Sequence, residues 1–283
     1  MRNGRSTVAV VLCALMLSGC AADAVAPPGQ EPGRTSSTPT DAPSESPTTE
    51  PATSEPPSSP SEPATSEPPP TTTPPPPPPP KATDDGLLES GENGPAVLAL
   101  QERLAGLGYW LGGPDGEYGH LTQQAVMALQ GVAGLSRDGV AGPDTLAALE
   151  AGVRPTARSG GNAVEIDLDA QVMTIVIDGS PSLVLHTSTG TDEKYTPDDG
   201  ITRVADTPRG DWEIAWARDE WRTSFLGRLY RPRYFHPNGI AVHGAHSVPG
   251  YPASHGCARV SIAAMDMIWR DDLMPIGRTV LVF

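Results

Sequence analysis

The chain has 283 residues, a formal net charge of −15 and 33 prolines, of which 21 lie between residues 27 and 80. No aromatic side chain precedes Tyr109. The first 85 residues therefore cannot build a hydrophobic core, and about 200 residues remain for one small and one ordinary domain. Even residues 154–283, where the bases concentrate, carry 16 acids against 13 bases. This charge balance excludes binding along a nucleic-acid phosphate backbone.

The first twenty residues have the pattern of an export signal. Two arginines precede the apolar run Val8–Leu17, which is too short to cross a bilayer as a helix, because that takes about 20 residues. The run ends in Leu17-Ser18-Gly19-Cys20, which resembles a bacterial lipoprotein lipobox. The resemblance implies a signal peptide over residues 1–19 and lipidation of Cys20, which would anchor the protein to a membrane. An ordinary signal peptide with a chance cysteine is the alternative.

Cysteine usage singles out one residue. Cys13 leaves with the predicted signal peptide and Cys20 is blocked by lipid, so Cys257 is the only free thiol expected in the mature chain. Export exposes it to an oxidising compartment, where a lone thiol is a liability unless it is buried or used.

Residues 20–85 are dominated by Pro, Ser, Thr and Glu and include seven consecutive prolines, Pro74–Pro80. Such a composition buries too little apolar surface to fold, and proline favours an extended backbone. We expect a disordered linker that holds the folded parts away from the membrane.

Residues 86–153 contain the helix-start and turn residues of a small helical domain. Prolines that follow glycines predict helix starts at Pro95 and Pro143, and Asp-Gly turns separate three apolar stripes at helical spacing. The stripes are Val97, Leu100, Leu104 and Leu107; Ala125, Val126, Leu129 and Val132; and Leu146 and Leu149. The segment resembles the peptidoglycan-binding type 1 domain in Leu100-Gln101, Gly108-Tyr109, Asp115-Gly116-Glu117-Tyr118-Gly119, Thr122-Gln123-Gln124-Ala125-Val126 and Gln130. The resemblance implies a three-helix bundle that binds the cell wall; a helical spacer without a ligand is the alternative.

From Ala163 onward the apolar period changes to two. Val164, Ile166 and Leu168 alternate with acids, further short β-rich runs follow, and one helix is predicted over Ile262–Leu273. Many short strands with one helix predict a mainly-β, sandwich-like domain over residues 160–283.

The chemistry concentrates in two strings, Val242-His243-Gly244 and Ser254-His255-Gly256-Cys257-Ala258-Arg259-Val260. A thiol becomes a good nucleophile when an imidazole either removes its proton or stabilises the thiolate. Glycines permit a tight turn and present backbone amides to a developing oxyanion. A Cys–His pair of this kind suits acyl transfer.

These strings closely resemble the L,D-transpeptidase catalytic (YkuD) domain, whose hallmark is His-Gly followed by Ser-His-Gly-Cys-x-Arg. Further matches lie upstream in Val164-x-x-Asp167-Leu168-x-x-Gln171, Ser188-Thr189-Gly190 and Thr207-Pro208-x-Gly210-x-x-x-Ile214. The chain departs from many relatives in that only 14 positions separate His243 from Cys257, so the loop Ala245–Ala253 is short.

The resemblance implies a role for each site residue. Cys257 would be the nucleophile, His243 the proton donor and acceptor, and His255 a supporting imidazole. Around them Gly256, Ser254 and Gly244 would support the site, with the amides of Gly256 and Cys257 near the oxyanion. Arg259 would hold the site or the substrate, or form a structural ion pair. Three tyrosines near the site either line the donor groove or pack in the core: Tyr230, Tyr234 and Tyr251.

The implied enzyme is an extracytoplasmic, lipid-anchored monomer that acts on peptidoglycan stems. It would form a thioester with a tetrapeptide stem and pass it to an amine as a 3→3 cross-link, with L,D-carboxypeptidase activity when water replaces the amine. We expect neither cofactor nor metal, because the spacing of His243, His246, His255 and Cys257 matches no helical zinc motif. The alternative function is a non-catalytic, peptidoglycan-binding lipoprotein.

Overall fold

The structure is a computed structural model that describes residues 86–224 and 226–283. The predicted signal peptide, the lipidation site Cys20 and the predicted linker lie outside the described residues. All described residues fall within one compact unit, residues 70–283. No helix among them is both long and apolar enough to cross a membrane.

The N-terminal part of the described chain is a three-helix domain, as predicted. Its helices are α1 (Pro95–Gly106), α2 (His120–Val132) and α3 (Pro143–Glu150). A proline in the first turn starts α1 and α3, where its missing N–H costs no helical hydrogen bond. The apolar stripes meet in one core of fully buried side chains, among them Leu100, Leu104, Leu129 and Leu149.

Two buried glutamines repeat one hydrogen-bonding pattern in this domain. Gln101 donates to Asp115 Oδ1 at 2.7 Å and to Thr122 Oγ1 at 2.9 Å, and it accepts from the amide of Gly116. Gln130 donates to Asp138 Oδ1 at 2.7 Å and to Thr145 Oγ1 at 3.1 Å, and it accepts from the amide of Gly139. Each glutamine therefore fastens an Asp-Gly turn to the start of the next helix, which explains why the Gln, Asp-Gly and Thr positions recur in the sequence.

Residues 163–283 form a β-sandwich with one helix, as predicted. The strands are β1 (Ala163–Asp167), β2 (Val172–Ile177), β3 (Ser180–His186), β4 (Lys194–Tyr195), β5 (Arg203–Val204), β6 (Gly210–Glu213), β7 (Trp216–Ala217), β8 (Trp221–Ser224), β9 (Gly227–Tyr234), β10 (Ala241–Ala245), β11 (Ala258–Ser261) and β12 (Thr279–Val282). One sheet has the order β3-β2-β1-β12-β6, and the second has β11-β10-β9-β7 with β8 also paired to β9. Strands β4 and β5 form a separate hairpin.

The core of this domain lies between the two sheets and under helix α4 (Ile262–Arg270). Side chains from both sheets and from the helix share one buried cluster, including Val164, Ile175, Val242, Val260, Met265 and Ile268. Ser261 caps α4, because its hydroxyl accepts the amide of Ala264 at 3.1 Å. The helix directly follows β11 and packs on β10, so it supports both strands that carry the site.

The helical domain is joined to the first sheet by backbone pairing and by close packing. The amide of Trp110 donates to the Val184 carbonyl at 3.0 Å, and the amide of Val184 donates to the Gly108 carbonyl at 2.8 Å. The segment after α1 thereby extends β3 at the edge of the sheet. On α2, a Cβ added at Gly131 would collide with the carbonyl oxygen of Ala170, so glycine is required for this approach.

Candidate active site

Strands β10 and β11 run parallel and bring the predicted site residues to one face. His243 on β10 is paired with Arg259 on β11. Cys257 lies directly before β11, and Cys257, His243 and Arg259 all line one cavity. The pairing of β10 with β9 is irregular beside His243, because the register shifts between Val242 and Gly244.

Gly244 supports His243 in two ways. Its carbonyl oxygen lies 2.9 Å from His243 Nδ1. A Cβ at Gly244 would lie 2.8 Å from Tyr230 Cδ1 and 3.1 Å from Met265 Cβ, so a larger residue would force these neighbours to move. The sequence predicted Gly244 as a supporting residue, and these are the contacts it makes.

The turn before Cys257 is closed by Ser254. The Ser254 hydroxyl accepts the Gly256 amide at 3.0 Å and donates to the Cys257 carbonyl. Gly256 has φ +128°, and a Cβ there would lie 2.6 Å from the Asp206 carbonyl oxygen. The position therefore requires glycine. In this structure the Gly256 amide, which the resemblance places near the oxyanion, is bonded to Ser254 and helps to close the turn.

The upstream motifs of the sequence converge on this turn. The Thr207 hydroxyl accepts the amide of Gly190 at 2.9 Å and donates to the Gly256 carbonyl at 2.7 Å. The Thr189 carbonyl accepts a hydrogen bond from the amide of Ser254 at 2.9 Å. The Gln171 side chain in turn donates to the Thr189 hydroxyl and accepts from the Thr189 backbone amide. All of these side chains are buried, so the nucleophile's turn is fixed by a continuous hydrogen-bonded network.

His243 is a neutral imidazole with a defined tautomer. Its side chain is 5% exposed, and burial, with a smaller contribution from the charge of Arg259, lowers its pKa to about 4. Since a carbonyl oxygen only accepts, Nδ1 must carry the proton that is shared with Gly244. Nε2 is therefore unprotonated and able to accept a proton.

Cys257 is a partly buried free cysteine. Burial raises the pKa of its thiol, while a backbone hydrogen bond at Ala241 and the positive charge of Arg259 act in the opposite direction. The resting site thus favours a neutral thiol and a neutral imidazole. Of the two roles that the sequence left open for His243, removal of the thiol proton agrees with these pKa directions better than stabilisation of a preformed thiolate.

Arg259 is a partly buried cation whose charge acts on both His243 and Cys257. Its pKa is lowered by burial, and Cys257 is the group that opposes this effect. The ion pairs made within residues 86–224 and 226–283 do not include Arg259, so the alternative of a structural ion pair finds no support there. Its backbone pairs with Ser188, whose amide and carbonyl both bond to it.

These side chains open into a cavity of about 960 Å³. Among the residues that line it are the predicted ones His243, Ser254, His255, Cys257 and Arg259. His255 is exposed, and its ring lies edge-on to Tyr195, with 4.7 Å between the ring centroids. It therefore lies at the cavity surface, beside the β4–β5 hairpin.

The three predicted tyrosines have different positions. Tyr234 lines the cavity and stacks on Trp216, with ring centroids 3.5 Å apart. Tyr230 packs against the core and donates from its hydroxyl to Asp266 Oδ1 at 2.8 Å, which agrees with the core-packing alternative. Tyr251 is 65% exposed and is absent from the cavity wall.

Sequence reasoning missed several other residues of the cavity wall. Trp216, Trp221 and Arg228 line it, and so does His246, an exposed loop residue. The His246 ring stacks on Trp221, with 5.4 Å between centroids, and the Arg228 guanidinium lies 4.3 Å above the same indole. For Trp221 and Arg228, a signal was present in the sequence, because Trp221, Arg222 and Arg228 are close together along the chain.

Within the part of the chain that the structure describes, no group of three or more His, Cys, Asp or Glu side chains is arranged to hold a metal ion.

Comparisons with known proteins agree with this division of the chain. Residues 93–149 match the family described as a putative peptidoglycan binding domain, and residues 161–282 match the L,D-transpeptidase catalytic domain. Among solved structures, the chain is similar to the L,D-transpeptidase of Xylanimonas cellulosilytica, at 50% identity and a TM-score of 0.67, over 73% of this chain and 100% of that one.

Curated relatives match over a shorter stretch. The chain is 48% identical over 67 residues to the N-acetylmuramoyl-L-alanine amidase CwlL of Bacillus licheniformis, which is 23% of this chain and 19% of the amidase. It is 45% identical over 56 residues to the amidase CwlM of Mycobacterium tuberculosis, 20% of this chain and 14% of that protein. The chain thus spans less than a fifth of the length of these amidases.

The fold, the Cys–His cavity and the similarity to the Xylanimonas protein together define the class. The chain belongs to the L,D-transpeptidase family, and a domain of the peptidoglycan-binding family precedes its catalytic domain.

Proposed function

We propose that this protein is a cell-wall L,D-transpeptidase that uses Cys257 as its nucleophile. The observation that carries the proposal is the shared cavity of Cys257, His243 and Arg259, in which the imidazole is neutral and its Nε2 is free to accept a proton. Activated thiols of this kind form acyl intermediates with carbonyl substrates.

The proposed first step is acylation by a tetrapeptide stem. As the Cys257 sulfur attacks the carbonyl before the terminal D-alanine, its proton passes to His243 Nε2. His243 then returns this proton to the departing amine of D-alanine, and the stem remains on Cys257 as a thioester. Since the Gly256 amide is bonded to Ser254, the Cys257 amide is our candidate donor to the oxyanion.

The proposed second step is transfer to an amine. His243 takes a proton from the amine of a neighbouring stem as that amine attacks the thioester, and the sulfur leaves with the proton restored. The product is a 3→3 cross-link; water in place of the amine gives an L,D-carboxypeptidase. Through these steps His255 would support the mouth of the cavity.

Arg259 suits a substrate that carries carboxylates. It is a cation without a carboxylate partner in the described residues, and it lies in the cavity with the nucleophile. We propose that it binds the terminal carboxylate of the donor stem, because a guanidinium pairs with carboxylates through two parallel hydrogen bonds.

The remaining sequence predictions complete the proposal. Residues 86–153 would bind peptidoglycan and residues 160–283 would catalyse transfer. Residues 1–19 would direct export, and lipidated Cys20 would anchor the linker 20–85 to the membrane. The protein would act outside the cytoplasm as a monomer.

Incubation of the full chain with a disaccharide-tetrapeptide, followed by mass analysis of the products, tests the proposal. We expect a cross-linked dimer and released D-alanine. If neither the dimer nor free D-alanine forms while the chain still binds peptidoglycan, the non-catalytic alternative replaces the proposed activity.

A further inference from the structure

The loop 245–253 connects the base to the nucleophile. It leaves β10 two residues after His243, and it ends at the turn that carries Cys257. Its first part, Ala245–Ser247, lines the cavity. The position of this loop therefore helps to set the shape of the substrate cavity.

The loop lacks strand pairing over residues 246–251, so its carbonyl groups need other partners. Four successive carbonyls, those of residues 248–251, each accept a hydrogen bond from a side chain. Two of the four donors belong to the β-sandwich. His186 Nε2 contacts the Pro249 carbonyl at 2.8 Å, and the Ser188 hydroxyl donates to the Tyr251 carbonyl at 2.8 Å.

The other two donors belong to the helical domain. Gln124 Nε2, on α2, donates to the Val248 carbonyl at 3.1 Å, and Arg137 Nε donates to the Gly250 carbonyl at 2.7 Å. Gln124 is only 6% exposed, although amide side chains are mostly found in contact with water. The donors thus alternate along the loop between the two domains.

The backbones also approach closely at this point. A Cβ added at Gly250 would collide with the carbonyl oxygen of Arg137, so the loop and the helical domain meet without room for a side chain. Arg137 further donates to the Asp169 carbonyl at 3.2 Å, which ties it to the first sheet. The loop is consequently held between two domains rather than resting on one.

We infer that Gln124 and Arg137 are positioning residues for the transpeptidase site, so that the helical domain shapes the substrate cavity in addition to any binding of the wall. The inference rests on the proposed function. Without these two donors, half of the side-chain hydrogen bonds to the carbonyls of residues 248–251 are lost, and the wall formed by Ala245–Ser247 moves while Cys257 and His243 keep their positions.

The test uses the full chain with Gln124→Ala and Arg137→Ala, and a soluble disaccharide-tetrapeptide, so that attachment to the wall does not contribute. We expect kcat/KM to fall about tenfold in each variant, mainly through a higher KM, because small displacements of a positioning wall are costly. The rate at which iodoacetamide alkylates Cys257 should stay within about twofold, because a small reagent does not depend on the cavity wall.

Matched controls separate a positioning effect on the cavity from a general loss of stability in the helical domain. Gln123→Ala and Arg103→Ala alter the same domain away from the loop; Gln123 packs at Gly139 and Arg103 contacts the Glu150 carbonyl. Both controls should keep the kcat/KM of the unmodified chain. Arg137→Lys retains a donor and should recover part of the loss.

Hydrogen exchange provides a readout that does not depend on turnover. Amides of residues 246–253 should exchange faster in Arg137→Ala than in the unmodified chain, whereas those of β1 and β2 should not change. Unaltered exchange and unaltered kcat/KM would overturn the inference, and so would equal losses of turnover and of alkylation. If the unmodified chain does not turn over the substrate, the proposed function fails, and the exchange measurement still decides whether the helical domain holds the loop.

Discussion

His243 and Cys257 enter the proposed reaction as neutral groups. Burial lowers the pKa of the imidazole to about 4 and raises the pKa of the thiol, so an ion pair is not the favoured resting state. The thiol proton would therefore move during attack on the substrate, when the negative charge passes to the oxyanion. The geometry that prepares this transfer is the hydrogen bond at Nδ1, which fixes the tautomer and leaves Nε2 free.

The pH dependence of kcat/KM should reflect this environment. His243 must be unprotonated to act as a base, and its pKa of about 4 lies below the ordinary histidine value of 6.5. As the pH falls from 7 to 5, we expect kcat/KM for a disaccharide-tetrapeptide to stay nearly constant, and to decline only near pH 4. A half-maximal value near pH 6.5 would show that the imidazole is not held neutral by burial.

Among the local elements, the turn 254–257 depends most strictly on residue type. Ser254 closes it, Thr207 joins it to Gly190, and Gly256 occupies a backbone conformation with φ +128°. The Ser-His-Gly-Cys string therefore specifies a backbone shape as well as a nucleophile.

Gly256→Ala should abolish measurable turnover and lower the thermal midpoint. The added Cβ would meet the Asp206 carbonyl oxygen at 2.6 Å, in a backbone conformation that L-residues rarely adopt. Gly277→Ala is the matched control, because Gly277 also has positive φ (+83°) but has nothing within 4 Å of an added Cβ. Activity assays and thermal unfolding of both variants give the comparison. Equal behaviour of the two variants would mean that the fit at Asp206 is unimportant.

Sequence periodicity was sufficient for the elements whose partners are local. It placed α1, α2 and α3 and the mainly-β character of the second domain, because glycine, proline and apolar spacing act over a few residues. The chemistry of thiol and imidazole side chains, together with the resemblance to the L,D-transpeptidase catalytic domain, indicated the strings that contain His243 and Cys257. Pairing between distant strands is not encoded by local spacing, so the wall built by Trp221, Arg228 and His246 was missed.

Local spacing was also insufficient to predict the contacts of the turn 254–257 and of the loop 245–253. Gly256, beside Cys257, suggested an amide free for an oxyanion, whereas in the structure that amide donates to the Ser254 hydroxyl. Nothing in the sequence indicates that Gln124 and Arg137 reach carbonyls more than a hundred residues away. Such contacts require the three-dimensional arrangement of both domains.

For the whole molecule, the contact between the helical domain and the first sheet couples the two domains. It includes the pairing at Val184 and the close approach of Gly131 to Ala170. The core of the helical domain also includes two residues of the sheet, Val172 and Val184. We therefore expect the two domains to unfold together.

Calorimetry checks this expectation. The unmodified chain should give a single thermal transition for the two domains, and Gly131→Ala should lower its midpoint or split it in two, because the new Cβ would press on the Ala170 carbonyl. Gly106→Ala is the control: this helical glycine has nothing within 4 Å of an added Cβ, and alanine favours a helix. Two separate transitions in the unmodified chain would contradict the coupling.

Thioester catalysis at Cys257 is tested most directly by mass spectrometry of the full chain, mixed rapidly with a tetrapeptide donor in the absence of an acceptor. We predict an adduct on Cys257 with the mass of the donor less one alanine, which hydroxylamine releases, and which the Cys257→Ser variant does not form. Turnover of the donor without this adduct, or undiminished turnover by Cys257→Ser, would contradict thioester catalysis at Cys257.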